Sequence, residues 1–309
     1  MIDPAKNVNI NLEPIFLIFS GGNNPGGVCV SCQTYDREIR IMGKVIIQIY
    51  EVQEPLEAES LIEADVDHIG SVLISEDNWK QPGILETMRV LCDSPSKSSL
   101  IPLFSNKDSI FRVLDYYQPD IVHFCEDLTE ATGSPGRNET LVLLQQRIKE
   151  RFPEIRIMRS IPIPEPGKED RFSVMELAGN FEPVSDFFLT DTLIGSESGA
   201  VSEKQPVSGF VGITGRTCDW EKAKELVQKS RIPVILAGGL SPDNVYQGII
   251  QVMPAGVDSC TGTNEIDSRG KPVRFKKDFN RVRRFVKEVR RLESENRMQQ
   301  RQFAATINV

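Results

Sequence analysis

GFVGITGRTCDW at residues 209–220, IPVILAGGLSPDNV at 232–245 and GVDSCTG at 256–262 are the segments on which the fold turns. Twice a short apolar run, Val234 to Ala237 and then Gly256 to Asp258, gives way to glycine and small polar residues and then to a helical pattern. Bare backbone amides at the C-terminal end of a strand, opposite a helix start, make a natural phosphate seat. Two such seats on consecutive strands predict the last two strands of a (β/α)8 TIM barrel, where many barrel enzymes hold a substrate phosphate. Gly238 and Gly239 after one strand, and Thr261 and Gly262 after the next, are the candidate phosphate ligands. The plainer reading is that they only make tight strand–helix turns. Thr214 and Gly215, with Arg216, predict a lid or phosphate rim.

The same alternation extends back to Met42. Strands are predicted at 45–50, 67–74, 100–104, 121–124, 155–158 and 187–190, before those at 234–237 and 256–258. Helical spacing falls at 55–64, 84–91, 109–117, 140–152, 171–181, 219–230, 242–252 and 277–293. Such a repeat over about 250 residues favours a closed barrel over an open doubly wound sheet. The open sheet's GxGxxG after the first strand is missing, since Tyr50-Glu51-Val52 stands there. The chain therefore divides into an N-terminal extension at 1–41, a barrel at 42–293 and a polar C-terminal tail at 294–309. The extension holds GGNNPGG and no sustained period, so it is expected to be poorly structured. A small added hairpin, or upstream sequence read through from a wrong start at Met1, fits it equally well.

Composition narrows the function classes. Hydrophobic residues make up 39% and charged residues 26%, as in ordinary globular proteins. A net charge of −8 gives no footprint for a nucleic-acid partner. No apolar run approaches the roughly 18 residues of a membrane helix. The run Ile15 to Phe19 is shorter than the roughly 7–15 apolar residues of a signal-peptide core. These readings predict a cytoplasmic protein without a membrane partner. Cys29 and Cys32 form a CVSC pair with no second pair to complete a zinc site, so no metal is expected and the cysteines are read as reduced thiols. The oligomeric state stays open, a homo-oligomer included.

The second half of the barrel resembles phosphoribosylanthranilate isomerase, the (β/α)8 enzyme of tryptophan synthesis. Phe188-Leu189-Thr190-Asp191-Thr192 is similar to the family's LLLDT. Residues 212–220, GITGRTCDW, are similar to GGTGxxFDW, and residues 236–245 nearly repeat LAGGLxPxNV. GVDSCTG at 256–262 resembles GVDVSSG. AGGL alone would be weak, but all four motifs occur in order across the last three strands.

The resemblance implies a reaction that opens a phosphoribosyl ring and shifts a proton from C2, with a general acid at the ring oxygen and a general base at C2. It places the acid at Asp191. The family's base is the cysteine of KICG on the first strand, and here that motif reads Gln48-Ile49-Tyr50-Glu51. Tyrosine, with an ordinary pKa near 10 against about 8.5 for cysteine, is a poorer base at neutral pH. Glu51 beside it and Cys125 at the end of the fourth strand are the other candidates. Each has a plain alternative: Tyr50 as packing, Glu51 as a solvated loop carboxylate, Cys125 as a buried inert thiol. The family's arginine for the anthranilate carboxylate falls near Trp79-Lys80, where only Lys80 carries charge. His123 aligns with a substrate-contacting glutamine, and Asp258 with a family aspartate at the substrate. The implied ligand is a phosphorylated small molecule and no cofactor is needed. Two other readings stay open: a phosphosugar epimerase or lyase, and a non-catalytic barrel that keeps the phosphate site.

Overall fold

The computed structural model describes residues 44–129, 136–168, 172–194 and 208–307. The expected extension at 1–41, with Cys29 and Cys32, lies outside these residues, as does most of the predicted loop at 193–208. The strands are β1 (Ile46–Ile49), β2 (His68–Leu73), β3 (Lys97–Pro102), β4 (Ile121–Phe124), β5 (Arg156–Pro164), β6 (Phe187–Leu193), β7 (Val234–Leu236) and β8 (Gly256–Ser259). Each pairs in parallel with the next, and β8 pairs with β1 to close an eight-stranded barrel. The helices are α1 (Pro55–Glu63), α2 (Pro82–Cys92), α3 (Lys107–Tyr117), α4 (Arg137–Arg151), α5 (Val174–Phe181), α6 (Trp220–Lys229), α7 (Val245–Val252) and α8 (Phe279–Ile307). The predicted barrel is thus the observed one.

Strand alternation sorts the core into two layers. Ile47 and Ile49 of β1 face outward and join a cluster with Leu61 of α1 and Val282 and Phe285 of α8. Gln48 and Tyr50 face inward. The interior cluster includes Tyr50, Val72, Ile101, Met158, Leu189, Ile235 and Ala237, drawn from many strands. Helix starts follow side-chain chemistry. Asn106 caps α3 by accepting from the backbone N–H groups of Asp108 and Ser109, and Asp219 caps α6 by accepting from those of Glu221 and Lys222.

Three elements depart from expectation. β5 runs on to Pro164 rather than ending near Met158, despite Pro162 and Pro164. Its pairing with β4 ends at Phe124↔Arg159, while its pairing with β6 continues to Pro164↔Leu193. Both prolines therefore lie where β5 has only one partner and a missing N–H costs no ladder bond. An antiparallel hairpin, β9 (Asn264–Ile266) and β10 (Pro272–Lys277), stands between β8 and α8, where no structure was predicted. Finally, α8 starts at Phe279 and continues through the predicted tail to Ile307. Among the described residues, no helix is long and apolar enough to cross a membrane.

Candidate active site

A cavity opens at the C-terminal ends of the strands, the face where barrel chemistry takes place. Its volume is about 680 Å³, counting space open to solvent at the mouth. All twelve residues singled out above line it: Asp191, Tyr50, Glu51, Cys125, His123, Thr214, Gly215, Gly238, Gly239, Asp258, Thr261 and Gly262. The strand ends thus bring together residues as far apart in sequence as Tyr50 and Gly262. Val72, Ile101, Leu103, Leu189 and Val211 form an apolar wall, and Gly215, Gly238, Gly239 and Gly262 gather on the rim.

The segment after β6 closes over Asp191. It is pinned to the β4 end by Val211 N–H donating to the Cys125 carbonyl (2.8 Å) and Asp127 N–H donating to that of Gly209 (2.9 Å). Gly212 sits at φ +99°, and a Cβ there would lie 2.1 Å from Asp191 Oδ2. No other residue type fits that approach. Ile213 follows at φ 59°, a strained conformation for a β-branched side chain. The segment's far end is held by Thr192 Oγ1 donating to the Arg216 carbonyl (2.7 Å).

Asp191 keeps part of its surface open to the cavity, yet protein rings it closely enough to withhold bulk water. Burial raises its carboxyl to about 7, offset only in part by the Thr192 N–H that it accepts at 3.0 Å. Asp258 is 7% exposed, and burial raises it to about 7 as well. A hydrogen bond from Gln48 and the charge of Lys277 pull it down, while the Asp191 charge pushes it up. The charge of Asp191 is therefore felt at Asp258, and both carboxyls line one cavity.

The other titratable groups are otherwise committed. The Tyr50 hydroxyl bonds Ser99 Oγ at 2.6 Å and His123 Nδ1 at 2.8 Å, and His123 Nε2 bonds Ser160 Oγ at 2.8 Å. Burial pushes the Tyr50 hydroxyl well above its usual value. Burial, then the Arg159 charge, lowers His123 to about 3, so the ring is neutral. Room for the tyrosine ring comes from Gly70, where a Cβ would lie 2.0 Å from Tyr50 Cδ1. Glu51, at φ 66°, is 1% exposed and pairs with Arg274 Nε at 2.6 Å. Burial alone would raise it, but Arg274 and the Asn264 amide (2.9 Å) outweigh that and hold it below the usual carboxylate range. Burial raises the Cys125 and Cys260 thiols well above the usual range.

Sequence reasoning missed the hairpin's contribution. Arg274 and Asn264 reach Glu51 from it, and Lys277 Nζ donates to Asn264 Oδ1 (2.5 Å) and the Cys260 carbonyl (3.1 Å). Gln48 appeared only as the first residue of an altered motif. Lys80 does not line the cavity, and its ammonium lies over the rings of Trp79 (5.2 Å) and Tyr116 (5.4 Å). Among the described residues, no group of three or more His, Cys, Asp or Glu could hold a metal ion.

A closed (β/α)8 barrel with carboxyls and glycines converging at its strand ends defines the class: a barrel with a small-molecule cavity suited to acid–base chemistry. The profile of one family, described as "PRAI: N-(5'phosphoribosyl)anthranilate (PRA) isomerase", matches residues 165–288. The N-(5'-phosphoribosyl)anthranilate isomerase of Methanocella arvoryzae is 35% identical over 145 residues, 47% of this chain. That match spans about half, 55%, of the relative's own length. The protein of the same name from Methanothrix thermoacetophila is 29% identical over 239 residues, covering 77% of this chain and 97% of the relative. The solved phosphoribosyl anthranilate isomerase of Thermotoga maritima superposes with a TM-score of 0.56 at 20% identity, covering 80% of this chain and 98% of that one. At that identity the superposition speaks for the fold alone. The chain is thus similar to N-(5'-phosphoribosyl)anthranilate isomerases, with the family's profile matched over residues 165–288.

Proposed function

We propose that this protein isomerises N-(5'-phosphoribosyl)anthranilate, or a close phosphoribosyl amine, from the aminoaldose to the aminoketose. Asp191 is the general acid at the ring oxygen. The glycine-lined rim, Thr214, Gly215, Gly238, Gly239, Thr261 and Gly262, receives the phosphate, and the wall of Val72, Ile101, Leu103 and Val211 suits an aromatic ring. One observation carries this reading: Asp191, near the C-terminal end of β6, lies in the same cavity as the rim, with its carboxyl raised to about 7. An acid with that pKa is still protonated in part at neutral pH and can donate. The reaction rearranges one substrate without an external oxidant or reductant, so the proton-transfer groups suffice. The reading also places the protein in the cytoplasm, in tryptophan synthesis.

Turnover tests it. Purified protein is expected to consume phosphoribosylanthranilate, followed by loss of anthranilate fluorescence. Asp191→Asn should lower kcat by about 10²–10⁴, the range of general acid–base contributions. Sugar-phosphate binding without turnover would favour the non-catalytic reading instead.

A further inference from the structure

The proposed reaction needs a base at C2, and the family's thiol position holds Tyr50. We infer that Asp258, at the end of β8, is the base, and that Gln48 and His68 position it. The inference rests on the isomerase reading above.

β6 and β8 flank β7, and side chains from alternate strands share a layer inside such a barrel. Asp191 and Asp258 therefore enter the same cavity from strands two apart. Asp258 also pairs in register with Gln48 of β1, the strand on which the family carries its base. A base at Asp258 works beside the vacated thiol position, across from the acid.

Hydrogen bonding orients it. Gln48 Nε2 donates to Asp258 Oδ1 at 3.1 Å, and His68 Nδ1 lies 3.1 Å from Gln48 Oε1. The amide oxygen can only accept, so His68 must carry its proton on Nδ1 and donate it. Burial lowers His68 to about 4, so the ring is neutral and can hold that tautomer. The chain His68–Gln48–Asp258 thus turns the Gln48 NH₂ group toward the carboxylate and leaves Asp258 Oδ2 for a ligand. Lys277 adds a positive charge that favours ionised Asp258. The alternatives in the cavity are poorer. Tyr50, Cys125 and Cys260 keep their protons at neutral pH, His123 is a weak base, and Glu51 is spent on Arg274.

The step balances within the substrate. Asp191 gives its proton to the ring oxygen as the C1–O bond breaks, and the amine lone pair forms a C1=N iminium. Asp258 then takes the C2 proton. The C2–H pair becomes the C1=C2 double bond, and the iminium π pair returns to nitrogen. Asp191 leaves the step ionised and Asp258 protonated. Proton delivery to C1 and loss of the C2 hydroxyl proton complete the aminoketose.

The test compares wild type, Asp258→Asn and Asp258→Ala on phosphoribosylanthranilate, the last with and without sodium formate. Asp258→Asn should lower kcat by about 10³ with KM changed less than about threefold. Formate, an exogenous carboxylate, should restore turnover to Asp258→Ala in a saturable, concentration-dependent way. Asp258→Asn with kcat within tenfold of wild type would overturn the inference. So would a loss that formate cannot rescue in a variant whose melting transition is unchanged. Wild type without turnover would overturn the isomerase reading, and this inference with it, whereas an active wild type with an active Asp258→Asn would overturn this inference alone.

Discussion

Position 50 is where the resemblance puts the family's thiol base, and the tyrosine there does not ionise near neutral pH. Tyr50 is 3% exposed, its ring fits over Gly70, and its hydroxyl is shared between Ser99 and His123. Burial would charge a phenolate heavily for leaving water, so the hydroxyl remains protonated and bonded. The side chain therefore fills and ties the barrel interior. Tyr50→Phe should accordingly lower kcat less than tenfold while destabilising the fold by about 1–3 kcal/mol, because Ser99 and His123 lose a buried partner. Parallel turnover and thermal-melt measurements check this. A fall in kcat of about 10³ or more, of the size expected for a proton-transfer group, would return the base to Tyr50.

At the scale of elements, the hairpin β9–β10 shapes the mouth through one buried carboxylate. Glu51 binds Arg274, Asn264 and the Phe275 N–H, so the end of β1 anchors an element more than two hundred residues later. Glu51→Gln removes the ion pair. Backbone amides at 264–277 should then exchange with solvent faster, as local opening becomes easier. KM should rise while kcat stays within tenfold, and hydrogen-exchange mass spectrometry beside steady-state kinetics reads both. Unchanged exchange with kcat lost would make Glu51 a chemical group. This element also marks the limit of what the chain displays before folding. The strand–helix alternation was legible because each apolar run is local, and the β7 and β8 motifs were legible because glycine placement is local too. The hairpin was not, since Pro272–Lys277 alternates exposed residues with partly buried ones up to the buried Lys277 and its meaning depends on Glu51. The reach of β5 was hidden for a similar reason: its prolines are harmless only because β4 stops short of them. All twelve candidate residues reach one cavity, but the division of labour among them depends on partners such as Gln48, Ser99 and Arg274, which single positions do not reveal.

For the whole molecule, closure of the barrel turns scattered strand ends into one water-poor chamber. Two carboxyls enter it, and burial raises both to about 7, so they exchange protons in the range where the protein must work. A pair of this kind can supply an acid and a base together without a thiol. The sign of the pH dependence follows. Below the pair's lower macroscopic pKa both carboxyls are protonated and no base remains; above the upper one both are ionised and no acid remains. The most direct test is the pH profile of wild-type kcat/KM on phosphoribosylanthranilate. A bell centred near pH 7 is expected from the two carboxyls. A rate that keeps climbing through about pH 8.5, as thiol ionisation would give, or no turnover at any pH, would contradict the account.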